Sequence, residues 1–173
     1  MTLLAPQRVD APKQRLERLY GECRDDVYAY VASLLGDRSL AEDVTALAFE
    51  RAFRRRRLFN SRRGSERAWL FGIARNAALD ELRRRRRSTA LVGDVPTDAW
   101  ESSEEVEGVL RRVTARAALA GLTPRERELI ALKFHAGLSN PDIARVLGVS
   151  ESNAGTLLHR TITKLRRACD DQA

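Results

Sequence analysis

The residues best suited to touch another molecule lie near the C-terminus, at Ser152, Asn153, Thr156, Leu157 and Arg160. Ser150 can open a helix there, and Ala154, Leu158, Ile162 and Leu165 recur at the spacing of its inner face, which turns the first five outward. Asn and Arg make bidentate hydrogen bonds to base edges, and Ser or Thr hydroxyls serve phosphates. A solvated helix face has the same composition, so the surrounding elements must decide. Lys164, Arg166 and Arg167 suit phosphate contacts or plain surface.

Those elements carry strong signals. Thr123-Pro-Arg-Glu126 combines a capping Thr, Pro at the first helical position and Glu at the third. The helix it opens carries Leu129, Ile130, Leu132 and Phe134 and ends by Gly137. Ser139-Asn-Pro-Asp142 repeats the logic for a short helix with Ile143, Ala144, Val146 and Leu147. Ala144 is small where two helices must approach, Gly148 can turn the chain in a left-handed conformation, and Ala154 is the apolar contact of the second helix. Small, Gly and apolar residues at this spacing between two capped starts predict a helix-turn-helix, the unit that places its second helix in a DNA major groove.

Charge supports a polyanionic partner. The 173 residues carry a net charge of +7, with an acidic strip between two basic modules. Residues 88–110 hold no Lys or Arg and six acids: Asp94, Asp98, Glu101, Glu104, Glu105 and Glu107. No stretch approaches the roughly 20 apolar residues of a spanning helix, and Met1 to Lys13 has no signal-peptide pattern. Cys23 and Cys169 lack metal-ligand spacing, so a reducing cytoplasm is expected. His135 and His159 stand alone, and no further ligand converges with Glu42, Asp43 and Glu50, which speaks against a metal-dependent enzyme.

Upstream, Leu16, Leu19, Tyr20, Cys23, Val27, Tyr30, Val31 and Leu34 recur at helical spacing up to Gly36, with Cys23 on the buried stripe. A second helix is expected to open at Ser39, with Glu42 completing a capping box, and to bury Val44, Leu47, Ala48 and Ala52. A basic loop, residues 61–66, leads into a third helix ending in five arginines, Arg83 to Arg87. That run reads as phosphate contacts or as a solvated charged end. Trp69, Ile73 and Ala77 share one face, which makes Trp69 a core residue rather than a stacking platform. The whole reads as all-α: two small helical domains, 14–87 and 106–168, joined by a flexible acidic linker over 88–105.

Both modules resemble one family. Leu122-Thr-Pro-Arg-Glu-Arg-Glu-Leu-Ile-Ala-Leu-Lys-Phe134, Gly137-Leu-Ser-Asn-Pro-Asp-Ile-Ala-Arg-Val-Leu-Gly-Val-Ser150 and Leu158-His-Arg-Thr-Ile-Thr-Lys-Leu-Arg166 resemble region 4 of extracytoplasmic-function (ECF) sigma factors. Ala41-Glu-Asp-Val44 with Phe49 and Arg51-Ala-Phe53 resembles region 2.2, and Trp69-Leu-Phe-Gly-Ile-Ala-Arg-Asn76 with Asp80 and the arginines resembles regions 2.3 and 2.4.

The resemblance implies a cofactor-free, non-enzymatic transcription initiation factor, monomeric when free and without a small-molecule substrate. Its region 2 would dock on the β′ coiled coil of core RNA polymerase, through Asp43, Glu50 and Arg51, and its region 4 on the β flap. Region 4 would read the −35 duplex through Ser152, Asn153, Thr156, Leu157, Arg160 and Lys164. Region 2 would capture the −10 element as single strand, with Arg62, Arg63, Ser65 and Asn76 facing it and Arg83, Arg84 and Arg86 among those holding phosphates. An anti-sigma factor is an expected partner. The acidic strip would occupy a basic channel of polymerase, or serve as a solubilising spacer.

Two departures stand out. Region 2.2 is more apolar than the family pattern, with Ala46, Leu47 and Ala48 after Asp43. Gly155 and Leu157 occupy recognition-helix positions that are commonly basic, which predicts a weaker −35 grip with a shallower salt dependence. The alternatives are a helix-turn-helix regulator that is not a polymerase subunit and a decoy that holds an anti-sigma factor.

Overall fold

A computed structural model describes residues 12–89 and 117–170. Six helices account for most of them, and there is no strand among the described residues. α1 runs Pro12–Leu35 and buries Leu16, Leu19, Cys23, Val27, Tyr30 and Val31. Gly36, at φ 65°, stops it in the left-handed region that only glycine enters freely.

α2, Arg38–Arg54, starts one residue earlier than the expected Ser39, and its cap is Asp37. The Asp37 carboxylate accepts the Leu40 N–H at 3.0 Å and pairs with Arg85 at 2.6 Å. The Leu40 bond and then Arg85 hold its pKa below the usual carboxylate range. An aspartate that also finds a basic partner on another helix displaces the Ser39–Glu42 box as the start signal. α2 buries Val44, Ala48 and Ala52 as expected, and Phe49 beside them.

Two short 3-10 turns, Arg56–Leu58 and Ser61–Arg63, then carry the chain to α3, Glu66–Thr89. α3 continues through Ser88 and Thr89, into the span expected to be linker. Residues 90–105 of that linker, and residues 106–116 of the expected second domain, lie outside the described residues. Helices α1, α2 and α3 each contact the other two. Their shared interior is closed by Tyr30 and Phe71, edge to face at 5.4 Å.

The second module follows its capping signals closely. After a helical turn at residues 117–120, α4 spans Pro124–Phe134, α5 spans Asn140–Leu147 and α6 spans Glu151–Asp170. Thr123 and Glu126 form the reciprocal capping box, and the Ser139 hydroxyl accepts the Asp142 N–H. Gly148 sits at φ 67° and lets α6 turn back across α5, with Ala144 and Ala154 buried in the angle between them. Phe134, the last apolar residue of α4, is instead 65% exposed.

One hydrophobic core runs from Leu16 through Phe71 to Leu158, so the two modules share an interior. α1 packs on α4 and α3 packs on α5. A single buried side-chain polar atom among the described residues has no hydrogen-bond partner, the Thr45 hydroxyl of α2. Burying an unpaired hydroxyl costs about 1–3 kcal/mol, and valine has nearly the same shape. Thr45→Val is therefore expected to raise the unfolding free energy by about 1 kcal/mol, seen as a higher urea midpoint at unchanged slope. A lower midpoint would mean the hydroxyl has a partner in solution.

Candidate nucleic-acid interface

The face of α6 is set by what its other side must bury. Ala154, Leu158 and Thr161 point inward, and Thr161 satisfies its hydroxyl by donating to the Leu157 carbonyl at 2.8 Å. Ser152, Asn153, Thr156, Arg160 and Lys164 are left exposed. Thr156 donates to the Ser152 carbonyl at 3.0 Å, a bond within the helix that an approaching acceptor can replace. Lys164 pairs with Glu126 at 2.9 Å, and this contact, with the capping bond from Thr123, keeps the glutamate's pKa low. Leu157 is partly buried and packs in part against the core. Gly155 has room for a side chain, its nearest neighbour being Asn140 Nδ2 at 3.9 Å from where a Cβ would stand.

The loop before α3 is built on local caps. The Asn60 side chain accepts the Arg62 N–H at 3.0 Å, Gly64 reverses the chain at φ 144°, and the Ser65 hydroxyl accepts the Ala68 N–H at 3.0 Å. Arg62, Arg63 and Asn76 are exposed. Ser65 has two tasks that its sequence position does not reveal: it caps α3, and its hydroxyl donates to Asp142 of α5 at 2.9 Å. Trp69 is partly buried against the core and meets Phe59 edge-on at 5.6 Å.

The five arginines are not equivalent. Arg85 crosses to Asp37, while Arg84 grips Glu81 with two bonds of 2.8 and 2.6 Å. Those bonds draw the pKa of Glu81 down. Arg83 approaches Asp80 at 3.4 Å, and Arg86 and Arg87 are exposed. All except Arg85 present their guanidinium groups outward, on the same end of α3.

On α2, Asp43 and Glu50 are exposed and Arg51 is partly buried. Glu50 pairs with Arg54 at 2.5 Å along the helix, and Arg51 reaches Asp80 of α3 at 2.9 Å. Arg51 thus ties two helices together. On the same helix Phe53 is 44% exposed; Tyr20 of α1, 48% exposed, meets the α2 residue Phe49 edge-on at 4.8 Å, and Leu58 of the following turn is 74% exposed.

Sequence reasoning misses the polar groups between the modules. The Glu128 carboxylate is buried and accepts from Arg75 Nε at 2.6 Å and the Tyr30 hydroxyl at 3.1 Å. Burial, and then the charge of Glu128, raise the Tyr30 pKa well above its ordinary value. Arg67 bonds the Asp26 carboxylate and the Ala136 carbonyl, and reaches the Cys23 sulfur at 3.1 Å. Burial still pushes the Cys23 thiol up, since Arg67 offsets that effect only in part. His135 is held below its usual range, chiefly by burial and against the pull of Asp26. One sequence signal does point there: Glu128 and Leu132 are four residues apart, so a charge stands on the inner face of α4.

The described residues thus form an all-helical protein with a helix-turn-helix in its C-terminal part and an arginine-rich helix before it. Residues 19–88 match the model for sigma-70 region 2 and residues 112–165 that for sigma-70 region 4. The ECF RNA polymerase sigma factor SigL of Mycobacterium tuberculosis is 32% identical over 154 residues, covering 87% of this chain and 86% of SigL. BldN of Streptomyces coelicolor, also an ECF RNA polymerase sigma factor, is 34% identical over 160 residues, covering 90% of this chain and 61% of BldN. The sigma factor RpoE, solved with the anti-sigma factor NepR from Bartonella quintana, shares the fold at a TM-score of 0.77 and 22% identity, covering 91% of this chain and 98% of RpoE. CnrH, solved with the cytosolic domain of CnrY, matches at 0.65 and 26% identity over 93% of this chain and 91% of CnrH. The chain belongs to the ECF sigma factors of RNA polymerase, which are transcription initiation factors. No described helix is long and apolar enough to cross a membrane.

Proposed function

We propose that this sigma factor reads promoter DNA through two surfaces on separate modules, residues 14–87 and 106–168, joined by the acidic segment. The exposed polar face of α6, seated on α5 across the Gly148 turn, carries the reading. Ser152, Asn153, Thr156 and Arg160 reach base edges and phosphates of the −35 duplex, with Lys164 on the backbone. Arg62, Arg63 and Asn76 face the −10 strand, and Arg83, Arg84 and Arg86 hold its phosphates. Ser65 joins them once its bond to Asp142 is released.

Asp43 and Glu50 form the polar part of a docking surface for the β′ coiled coil, and the second module docks on the β flap. Tyr20, Phe53 and Leu58 supply apolar area beside the first of these. An anti-sigma factor, as in the RpoE–NepR complex, is the natural inhibitor of such a surface. The factor acts in the cytoplasm and has no catalysis of its own. Purified protein added to core polymerase is expected to direct run-off transcription from its own promoters. Absence of core binding would refute the reading, and core binding without transcription would favour an anti-sigma decoy.

The recognition helix allows a sharper test. Gly155→Lys fits the open space at that position and should add one phosphate contact, steepening the log–log salt slope of −35 duplex binding by about 0.9. It should also firm the helix, since glycine in a helix interior costs up to about 1 kcal/mol. Leu157→Arg, by contrast, should lose packing and stability. An unchanged slope in Gly155→Lys would remove residue 155 from the DNA face.

A further inference from the structure

The loop before α3 is shaped internally by short-range bonds, from the Arg62 N–H to Asn60 and from the Ala68 N–H to Ser65, with Gly64 at φ 144° between them. Neither bond fixes where the loop stands on its module. Its flanks are tied down by one side chain of α1. The Arg15 guanidinium lies 5.2 Å from the centroid of the Phe59 ring, and its Nε pairs with Glu66 at 2.5 Å. Phe59 precedes the loop and Glu66 follows it, so a single group spans both ends. Arg18 adds a bond to Glu66 at 3.0 Å, and Trp69 meets Phe59 edge-on at 5.6 Å. All of these residues belong to the first module, so the arrangement does not depend on where the second one sits.

We propose that Arg15 is a positioning residue for strand capture, stapling both ends of the loop so that Arg62, Arg63 and Ser65 are in place before the strand arrives. This rests on the −10 strand reading proposed above. A loop that orders only on binding loses conformational entropy residue by residue, and one already held in its bound shape avoids that loss. Gly64 sharpens the need, because glycine has more backbone freedom to lose than any other residue. Arg15 does not itself serve as a phosphate contact. Its side chain is 24% exposed, against 46% for Arg18, and its charge is already committed to the Glu66 carboxylate. A partly buried pair of this kind is screened less by salt than an exposed one.

Amide hydrogen exchange on the full chain, read peptide by peptide, tests the staple without DNA or polymerase. The Arg62 and Arg63 amides are both bonded to Asn60 and report the order of the loop. Arg15→Gln should speed exchange in the loop about fivefold and leave α2 and the rest of α3 unchanged. Arg15→Lys keeps a charge for Glu66 and should restore part of the protection. Arg18→Gln removes one bond to Glu66 but leaves the span intact, so it should disturb the loop less. Loop exchange unchanged in Arg15→Gln, raised equally throughout the module, or raised as much by Arg18→Gln would overturn the staple.

Strand selection then tests the role. The factor bound to core polymerase is offered a pool of single-stranded DNA randomised over its central positions. The wild type should enrich a preferred sequence, and Arg15→Gln should enrich the same sequence about fivefold less. The salt slope of binding to that sequence should not change, because no phosphate contact is lost. A slope flatter by about 0.7 would make Arg15 a direct phosphate contact and overturn the positioning role. Enrichment by Arg15→Gln equal to that of the wild type would also overturn it, with the strand reading intact. A wild-type complex that enriches no sequence would overturn the strand reading, and the positioning role with it.

Discussion

Phe71→Ala is expected to lower the unfolding free energy by about 3–5 kcal/mol, the range for truncating a fully enclosed aromatic ring. Phe71 is fully buried, with its ring edge-to-face against Tyr30 at 5.4 Å and the Arg67 guanidinium 5.4 Å above it. Deleting the ring leaves a cavity between α1 and α3 that helical backbones cannot collapse around. It also frees Tyr30, whose hydroxyl reaches Glu128, so the damage extends to the second module. Urea denaturation followed by circular dichroism measures the loss. A loss below about 1 kcal/mol would show that the two helices close the gap and that Phe71 does not anchor the shared core.

The second large effect concerns DNA. The triple variant Arg83→Gln, Arg84→Gln, Arg86→Gln is expected to weaken the promoter complex with core polymerase about a hundredfold near physiological salt. The log–log salt slope should flatten by about two to three, one increment for each lost phosphate contact. The pairs Arg84–Glu81 and Arg83–Asp80 do not prevent this role. Exposed pairs three residues apart on a helix contribute only about 0.5 kcal/mol, less than a phosphate on a desolvated track. Filter binding across a salt series separates the outcomes. A change below about threefold with an unchanged slope would assign these arginines to solvent.

Much of the second module is legible because its signals are local. Thr123 and Glu126, Ser139 and Asp142, and Gly148 each act within four residues, and the capping geometry they imply is the geometry found. Cys23, Val27 and Tyr30 are legible as a buried stripe for the same reason. The start of α2 is not, because two caps compete there. Ser39 and Glu42 form an acceptable box, but Asp37 gains Arg85 from 48 residues away, a partner that no local window contains. Leu157 has the spacing of a base contact. Its partial burial against the core is not visible in that spacing, because it depends on which helices pack beside α6.

The helix-turn-helix is therefore specified by the sequence itself: its caps, its small residue, its turn glycine and most of its outward face. Local hydrogen bonding and helical periodicity suffice for that, since each depends on neighbours a few residues apart. The meeting of this unit with the arginine-rich module was decided only by tertiary structure. Glu128 with Arg75 and Tyr30, Arg67 with the Ala136 carbonyl, and Ser65 with Asp142 join residues 53 to 98 positions apart. Such pairs have no periodicity to betray them, because burial of a charge is resolved by whichever partner the packed helices bring within reach.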